Sequence, residues 1–220
     1  MNNAQLLKEG LAQMGIPLPE KAQFMLLAYL DLLYKWNKTY NLTSLGVSGK
    51  GKRQSEAGNE AVSHHLLDSL SILPFMRGDR VLDVGSGGGT PGIPLAIARP
   101  EMHITLADSN AKKCAFLRQA IIELALSNVS VHEGRIEQYQ PEQGFSEIVS
   151  RAFAELSDFV HLTAHLLDQD GRWLAMKGQR PDEEISRLPA NIRASAIHSL
   201  SVPQVNGERH LVELEQTSAF

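Results

Sequence analysis

A turn dense in glycine follows a short strand near the middle of this chain. The run Val81–Val84 is mainly apolar, and it leads into the sequence GSGGGTPG at residues 85–92. Glycine has no Cβ, so such a turn can adopt positive φ angles and bring bare backbone against a ligand. A strand, a glycine turn and a helix in this order predict a ligand site at the carboxyl end of a strand in an α/β sheet.

Two classes of cofactor bind to loops of this kind, and an acidic residue helps to separate them. Gly87, Gly89 and Gly92 have the spacing G-x-G-x-x-G, which also occurs in dinucleotide sites, where a helix N-terminus holds a pyrophosphate. Asp83 lies two residues before Gly85, where its charge repels a pyrophosphate and attracts a cation. S-adenosylmethionine carries a sulfonium and an ammonium group. We therefore predict that Asp83 contributes to a site for this methyl donor, although a carboxylate that only orders the loop has the same pattern.

A second acid, Asp108, ends the next apolar run, His103–Ala107. Its distance along the chain from the glycine turn is typical of the acid that binds a ribose in either class of site. Asp108 therefore indicates a nucleoside and does not choose between the two cofactors.

Length and composition favour one cytoplasmic domain. The 220 residues suffice for one α/β core with an extension, and the 43% of hydrophobic residues is ordinary for a globular protein. No apolar run is long enough to span a membrane, and the N-terminus does not resemble a secretory signal. Cys114 is the single cysteine and the eight histidines are scattered, so we expect neither a disulfide framework nor a metal site. We also expect a monomer.

The net charge of -4 argues against a protein that coats nucleic acid indiscriminately, because that usually requires a broadly basic surface. A local basic patch remains compatible with this charge. The helix after Asp108 supplies one candidate, since Lys112 and Lys113 in its first turn, together with Arg118, fit an RNA backbone. Lysines on a solvated helix face give the same pattern.

The chain divides into a helical extension, residues 1–76, and a core, residues 77–220. The extension contains a predicted helix at Glu20–Trp36, a polar loop at residues 46–59 that we expect to be mobile, and a helix near residues 61–73. The core alternates helices with five short strands, which predicts a doubly wound, mainly parallel sheet. The predicted strands are Val81–Val84, Ile104–Ala107, Val129–Val131, Ile148–Ser150 and Trp173–Met176. The runs Ala194–Val202 and His210–Leu214 predict a C-terminal antiparallel hairpin, which is more typical of methyltransferases than of dinucleotide-binding folds.

Ligands of open parallel sheets lie across the carboxyl ends of the strands. This rule selects the residues that follow each of the first four strands. They are Gly85, Gly87, Gly89 and Thr90 after the first, Asp108 and Ser109 after the second, Ile136 and Glu137 after the third, and Arg151 after the fourth. Ile136 offers an apolar face to adenine and Glu137 a polar partner for its edge, although an ordinary helix start would look the same.

Several runs together resemble the bacterial glucose-inhibited division protein B, or RsmG, family. They are DVGSGGGTPGIPLA, LADSNAKKCAFLRQ, VSRAFAEL and LAMKGQ, with YKWNKTYNLTS and HLLDSL upstream and GERHLV downstream. The resemblance extends over nearly the whole chain. It implies a class I methyltransferase that transfers a methyl group from S-adenosylmethionine to N7 of one guanine in 16S ribosomal RNA, beside the decoding site.

The resemblance also implies roles for individual residues. It assigns cofactor contacts to Gly85, Thr90, Ile136, Glu137 and Arg151, with Asp108 and Ser109 nearby. Thr90 stands where the family usually has leucine or phenylalanine, so we expect its contact through backbone or methyl group. The loop at 46–59 is longer and more polar than the corresponding family segment.

Guanine N7 carries an in-plane lone pair, so its methylation depends on alignment more than on a general base. We expect Arg151 to organise the junction of cofactor and guanine, and Lys177, Arg209 and His210 to hold phosphates or base edges. Salt bridges and sheet-edge solubility are the alternatives for these residues. Other functions that fit the residues are methylation of a small molecule or a protein, an NAD-dependent oxidoreductase, and a non-catalytic assembly factor of the small ribosomal subunit.

Overall fold

A seven-stranded sheet forms the centre of the computed structural model, which describes residues 2–40, 42–43, 60–151, 153 and 155–217. The loop predicted to be mobile, residues 46–59, lies outside the described residues. The strands are β1 (Arg80–Val84), β2 (His103–Asp108), β3 (Val129–Glu133), β4 (Phe145–Ser150), β5 (Leu167–Lys177), β6 (Ile192–Ser199) and β7 (His210–Gln216).

The strand order is β3-β2-β1-β4-β5-β7-β6, and β1 to β5 are parallel. Chain connections run in opposite directions on the two sides of the β1/β4 pair, so a crevice opens at the carboxyl ends of these strands. In the register, Val84 lies beside Ala107 of β2, and Asp83 lies beside Val149 of β4. The end of β1 is thus flanked by the residues that precede Asp108 and Arg151.

The predicted C-terminal hairpin is confirmed. β7 pairs antiparallel with both β5 and β6, and β6 forms the edge of the sheet. Strand bounds differ most for β5, which begins at Leu167, six residues before the predicted start at Trp173. The first residues of β5 include the exposed Asp168 and Asp170, so the apolar pattern that predicts a strand is absent there. This part of β5 pairs with β4 in a register that is irregular after Phe145.

Helices cover both faces of the sheet. They are α1 (Asn3–Gln13), α2 (Glu20–Tyr40), α3 (a π-helix at Val62–Leu67 that continues as an α-helix at Asp68–Leu70), α4 (Gly92–Ala98), α5 (Ala111–Glu123), α6 (Leu156–Thr163) and α7 (Asp182–Ser186). The sequence identified the start of α2 correctly, because the Leu26, Leu30 and Leu33 stripe follows directly on Pro19. None of the described helices is long and apolar enough to cross a membrane.

The N-terminal helices share one hydrophobic core with the sheet. Leu7 of α1, Leu33 of α2 and Leu66 of α3 are buried together with Leu106 of β2 and Phe116 of α5. A second apolar cluster covers the other face, with Trp173 and Phe159 fully buried. The helical extension is therefore part of the packing that supports the first two strands and the loops that follow them.

A buried ion network lies toward the amino ends of β4 and β5. Arg172 is 6% exposed, and its guanidinium donates to the carboxylates of Glu147 and Glu213 and to the carbonyl of Phe75. Both glutamates are almost fully buried. Since a buried charge is tolerated only with a partner, this network links β4, β5 and β7 through charged side chains that depend on one another.

Candidate active site

The glycine loop after β1 has the backbone geometry that its sequence predicts. Gly85, Gly87 and Gly89 have φ angles of 73°, 57° and 89°. A Cβ on Gly89 would lie 2.5 Å from Ile93 Cδ1, so space as well as conformation requires glycine there. Gly85 N and Ser86 N donate to the carbonyl of Ala107, at 2.9 and 3.1 Å, which ties the loop to β2.

A cavity of about 250 Å³ opens beside this loop, and we call it the cofactor cavity. Residues that follow β1, β2, β3 and β4 line it, and they include Gly85, Asp108, Ser109, Ile136, Glu137 and Phe153. The first five of these residues are among those predicted from the sequence. Apolar walls from Ile136 and Phe153 suit the faces of a base, while the carboxylates and backbone groups suit ribose hydroxyls and the base edge. The residues present thus fit the nucleoside part of S-adenosylmethionine.

Asp108 is held in a fixed orientation at the end of β2. One carboxylate oxygen accepts from Gly87 N at 3.0 Å and the other from Asn110 N at 2.8 Å, and Lys113 Nζ lies 3.6 Å away. A carboxylate offers about four lone-pair positions, so Asp108 can also accept from the hydroxyls of a ribose. The same contacts neutralise part of its charge and organise the glycine loop.

Asp83 does not face the cofactor cavity, and this corrects the expectation that its charge meets the cofactor directly. The side chain is completely buried, and its Oδ2 accepts from Gly92 N at 3.0 Å, beneath the loop. These contacts agree with the alternative interpretation, in which Asp83 is a carboxylate that orders the loop. Burial raises the pKa of this carboxyl to about 7, although the Gly92 N–H and the charge of Arg151 act in the opposite direction.

We expect Asp83→Asn to flatten the dependence of stability on pH. Between the unfolded pKa of about 4 and the folded pKa of about 7, the native protein binds more protons than the unfolded chain, so its free energy of unfolding falls as pH rises. An asparagine does not titrate and removes this decrease. Urea unfolding from pH 4.5 to 8 measures it, with the exposed Glu101→Gln as a control that keeps the wild-type slope. Equal slopes for Asp83→Asn and wild type would contradict the prediction.

A second cavity of about 200 Å³, the inner cavity, lies on the other side of the glycine loop. Gly85 lines both cavities. The inner cavity is also lined by Leu33, Leu42, Thr43, His65, Thr90 and Arg151. Part of the lining of the inner cavity therefore comes from the helical extension. The sequence did not predict that the extension contributes to the site.

Helix α2 holds the glycine loop from below. The hydroxyl of Tyr29 donates to the carbonyl of Gly88 at 2.5 Å, and both groups are buried. Burial raises the pKa of Tyr29, so its hydroxyl keeps the proton that makes this bond. A Cβ on Gly88 would lie 2.9 Å from Leu33 Cδ1, so the helix and the loop pack in direct contact.

A third, open cleft of about 840 Å³ lies over the carboxyl ends of β4 and β5, and we call it the substrate cleft. Arg151 lines both this cleft and the inner cavity, while Phe153 lines both this cleft and the cofactor cavity. Arg151 and Phe153 thus lie between the three spaces. Phe153 was not among the residues selected from the sequence.

Arg151 is held on several sides. Its Nη1 donates to the carbonyl of His64 at 3.1 Å and to Asp68 Oδ2 at 3.2 Å, and its Nη2 donates to the hydroxyl of Thr90. Thr90 therefore contributes its hydroxyl to the orientation of Arg151. A guanidinium cannot accept a proton at neutral pH, so Arg151 can position or stabilise charge but cannot act as a base.

Two of the side chains expected to bind RNA are not available in the way predicted. His210 is 7% exposed within β7, between Lys177 and Ser199 of the neighbouring strands. Lys177 is 10% exposed; its Nζ lies 2.7 Å from Glu184 and donates to the carbonyl of Phe153. Lys177 therefore holds the backbone of Phe153, and its charge is satisfied within the protein.

The other expected RNA contacts lie nearer the surface. Lys112 is exposed in the first turn of α5, whose N-cap is Asn110. Lys113 pairs with Asp108, and Arg118 lies 2.7 Å from Glu133. Arg209 is partly exposed, and its Nε donates to Asp68 at 3.1 Å. An exposed ion pair such as Arg118–Glu133 contributes little and opens readily, so Lys112 and Arg118 stay candidates for RNA contacts, whereas Lys113 and Arg209 are paired with buried acids.

Asp68 is the acid that the sequence analysis missed. It lies in HLLDSL, a run quoted for the family resemblance, and it is 4% exposed. An acid inside an otherwise apolar helical run is the signal that marks it, because buried carboxylates are rare unless they are paired. Among the described residues, no group of three or more histidine, cysteine, aspartate or glutamate side chains is arranged to hold a metal ion.

Solved structures similar to this one are class I methyltransferases. The glycopeptide N-methyltransferase MtfA, complexed with S-adenosylmethionine, gives a TM-score of 0.60 at 12% identity, over 70% of this chain and 88% of that chain. TrmN from Thermus thermophilus gives 0.54 at 21% identity, over 67% of this chain and 47% of that chain. At such identities the likeness establishes the fold, and it agrees with the class predicted from the sequence.

Sequence relatives are much closer. A family described as GidB, rRNA small subunit methyltransferase G, matches residues 22–212. The ribosomal RNA small subunit methyltransferase G of Chromobacterium violaceum is 53% identical over 94% of this chain and 95% of its own length. That of Stutzerimonas stutzeri is 51% identical over 99% of this chain and 97% of its own length. The match covers the glycine loop and the residues around all three cavities, and it supports S-adenosylmethionine over a dinucleotide as the cofactor. The chain belongs to the ribosomal RNA small subunit methyltransferase G family.

Proposed function

We propose that this protein transfers the methyl group of S-adenosylmethionine to N7 of one guanine in 16S ribosomal RNA, in the loop beside the decoding site. The observation that carries the proposal is the family match over residues 22–212. Within that range lies a site in which Arg151 and Phe153 stand between a nucleoside-sized cavity and an open cleft.

The chemistry of the target agrees with the residues present. When bound, S-adenosylmethionine supplies an electrophilic methyl group on a sulfonium. Guanine N7 attacks with a lone pair that lies in the plane of the ring, and no proton has to leave before the new bond forms. The enzyme therefore needs to align the two molecules, which is the kind of catalysis that a rigidly held arginine and an apolar wall provide.

The substrate cleft supports entry of a base from the side of β4 and β5. Phe153 is partly exposed there and packs against Phe159, with ring centroids 5.2 Å apart. Enzymes that modify a base take it out of the stack and hold it against aromatic or apolar side chains. We infer that the guanine lies against Phe153, with Arg151 on its other side near the inner cavity.

Mapping of the methylated nucleotide tests the function. N7-methylguanine can be reduced with borohydride, and the RNA chain is then cleaved at that position by aniline. We expect cleavage at one guanine of 16S RNA from cells that contain the protein and none from cells that lack it. Purified protein with radiolabelled methyl donor should restore the modification in subunits from deficient cells. Identical cleavage patterns from the two strains, or labelling of another base, would refute the proposal.

The form of the RNA substrate is a separate prediction from charge. The protein has a net charge of -4, and several of its exposed cations are paired with acids. Binding of free RNA depends mainly on unpaired cations. We therefore expect faster methylation of assembled small subunits than of protein-free 16S RNA, measured as initial rates with both substrates. Equal rates would mean that the RNA alone carries the recognised surface.

A further inference from the structure

Asp68 links three parts of the chain that lie far apart in sequence. It belongs to α3, in the helical extension, and its two carboxylate oxygens are divided between two arginines. Oδ2 accepts from Arg151 Nη1 at 3.2 Å, and Oδ1 accepts from Arg209 Nε at 3.1 Å. Arg151 follows β4, and Arg209 directly precedes β7. One buried carboxylate thus fixes both guanidinium groups relative to the extension.

The charges explain why the acid is needed. Asp68 is 4% exposed, so its interactions are weakly screened by water. Arg151 and Arg209 each lie within hydrogen-bond distance of the same carboxyl group and repel each other without it. With Asp68 ionised between them, the cluster keeps an excess of one positive charge. The carboxylate therefore sets the orientation of the two cations and leaves part of their charge for an anionic or electron-rich ligand.

The contacts of Arg151 also determine which of its N–H groups point to a ligand. Asp68 and the His64 carbonyl take Nη1, and the hydroxyl of Thr90 takes one N–H of Nη2. Among the described residues, this leaves the Nε–H and the second Nη2–H without a protein acceptor. Because the guanidinium is planar, fixing Nη1 and Nη2 fixes the direction of these remaining donors. Arg151 lines both the inner cavity and the substrate cleft, where such donors can meet the substrate.

We propose that Asp68 is a positioning residue for methyl transfer, which acts through Arg151 by holding its guanidinium in the orientation that the substrate requires. This proposal rests on the proposed function. The competing explanation is that Asp68 only ties α3 to the C-terminal hairpin. The two explanations differ in one respect: positioning makes the effect of Asp68 on the rate depend on Arg151, whereas a structural tie does not.

The kinetic test compares Asp68→Asn, Arg151→Ala and the double variant on small ribosomal subunits. Asparagine keeps the size of the side chain and removes its charge. We expect Asp68→Asn to lower kcat by about tenfold while the KM for S-adenosylmethionine changes by less than about threefold. In the Arg151→Ala background, the same substitution should change kcat by less than about twofold, because the group through which it acts is gone.

A matched control is Glu215→Gln. Glu215 also pairs with an arginine, Arg193, at 3.2 Å, but on the outer hairpin away from the three cavities. We expect it to keep the wild-type kcat. Thermal unfolding of every variant shows whether a lower rate reflects lost folding. A wild-type rate for Asp68→Asn, or the same loss of rate with and without Arg151, would overturn the proposal.

Nuclear magnetic resonance of the arginine side chains separates this proposal from the proposed function, since it needs no turnover. An ion-paired guanidinium rotates slowly about its Nε–Cζ bond, and its Nη signals stay distinct. We expect slow rotation of Arg151 in wild type and fast rotation in Asp68→Asn, with intermediate behaviour in Asp68→Glu, which keeps the charge. Equal rotation in wild type and Asp68→Asn overturns the positioning role. Rotation could be slow in wild type and fast in Asp68→Asn while the wild-type protein methylates no ribosomal RNA. In that case the proposed function is wrong and the Asp68–Arg151 pairing stands.

Discussion

Arg151→Ala is expected to lower the rate of methyl transfer to small ribosomal subunits by about 100-fold, the effect typical of removing one preorganised donor from an active site. Arg151 stands where the inner cavity meets the substrate cleft, and Asp68, the His64 carbonyl and Thr90 hold it. Alanine removes both the charge and the fork of N–H donors. Single-turnover measurements with saturating S-adenosylmethionine give the rate of the transfer step itself.

Two further variants test whether the lower rate of Arg151→Ala results from the loss of its positioned guanidinium. Arg151→Lys keeps the positive charge without the planar fork, so we expect it to recover only a small part of the rate. Arg99→Ala removes an arginine from an exposed pair with Glu101 and should leave the rate unchanged. Stability should change little in Arg151→Ala, because Arg209 still pairs with Asp68. A rate for Arg151→Ala equal to that of wild type would show that the assignment is wrong.

Arg172→Met is expected to lower the free energy of unfolding by about 3–5 kcal/mol, the range observed when one partner is removed from a buried ion pair. Methionine has a similar length and suits an apolar interior, but it leaves Glu147 and Glu213 without the cation between them. Both glutamates are almost fully buried. Urea unfolding followed by fluorescence of the buried Trp173 measures the change.

Arg193→Met provides the control for this substitution. Arg193 pairs with Glu215 at 3.2 Å on the surface, and its side chain is 64% exposed. Such pairs contribute about 0–1 kcal/mol, so this variant should unfold almost as wild type does. At low temperature, the folded fraction of Arg172→Met should still methylate subunits, since Arg172 lies away from the carboxyl ends of the strands. Similar stability losses for both arginine variants would contradict a special role for the buried network.

The two predictions concern two regions of the sheet whose charged groups have different roles. At the carboxyl ends of β1, β2 and β4, charged groups line cavities and keep donors or acceptors for a ligand. Toward the amino ends of β4 and β5, Arg172 pairs with Glu147 and Glu213, and His198 also contacts Glu213, so these charges meet partners within the protein. Substitutions in the first group should change catalysis with little effect on folding, and those in the second should have the reverse effect.

Several residues that line the cofactor cavity were predicted from the sequence, because the features that select them are local. Gly85, Asp108, Ser109, Ile136 and Glu137 each follow a strand within a few residues, and the parallel order brings those strand ends together. The glycines of the turn predicted the positive φ angles that the structure shows there. A cofactor site made from strand ends can therefore be located once the strands are found. A similar argument predicted the hairpin, since its two runs lie close together along the chain.

The sequence did not show which charges are free, because that depends on partners distant along the chain. Arg151 and Asp68 are 83 residues apart, and Arg209 and Asp68 are 141 residues apart. The same applies to Asp83, whose acidity suggested a contact with the cofactor and whose side chain instead lies buried beneath the loop. Burial and pairing are properties of the packed protein, and no local pattern records them.

The sequence by itself thus determined the fold class, which follows from its periodicity, and the family, which follows from the resemblance of several runs along nearly the whole chain. Only the tertiary structure decided that the helical extension supplies Tyr29, His65 and Asp68 to the site. It also decided that Lys177 and His210 are enclosed rather than exposed to RNA. The physical reason is that the energy of a charged side chain depends on the water and the counter-charges around it, and long-range packing sets both.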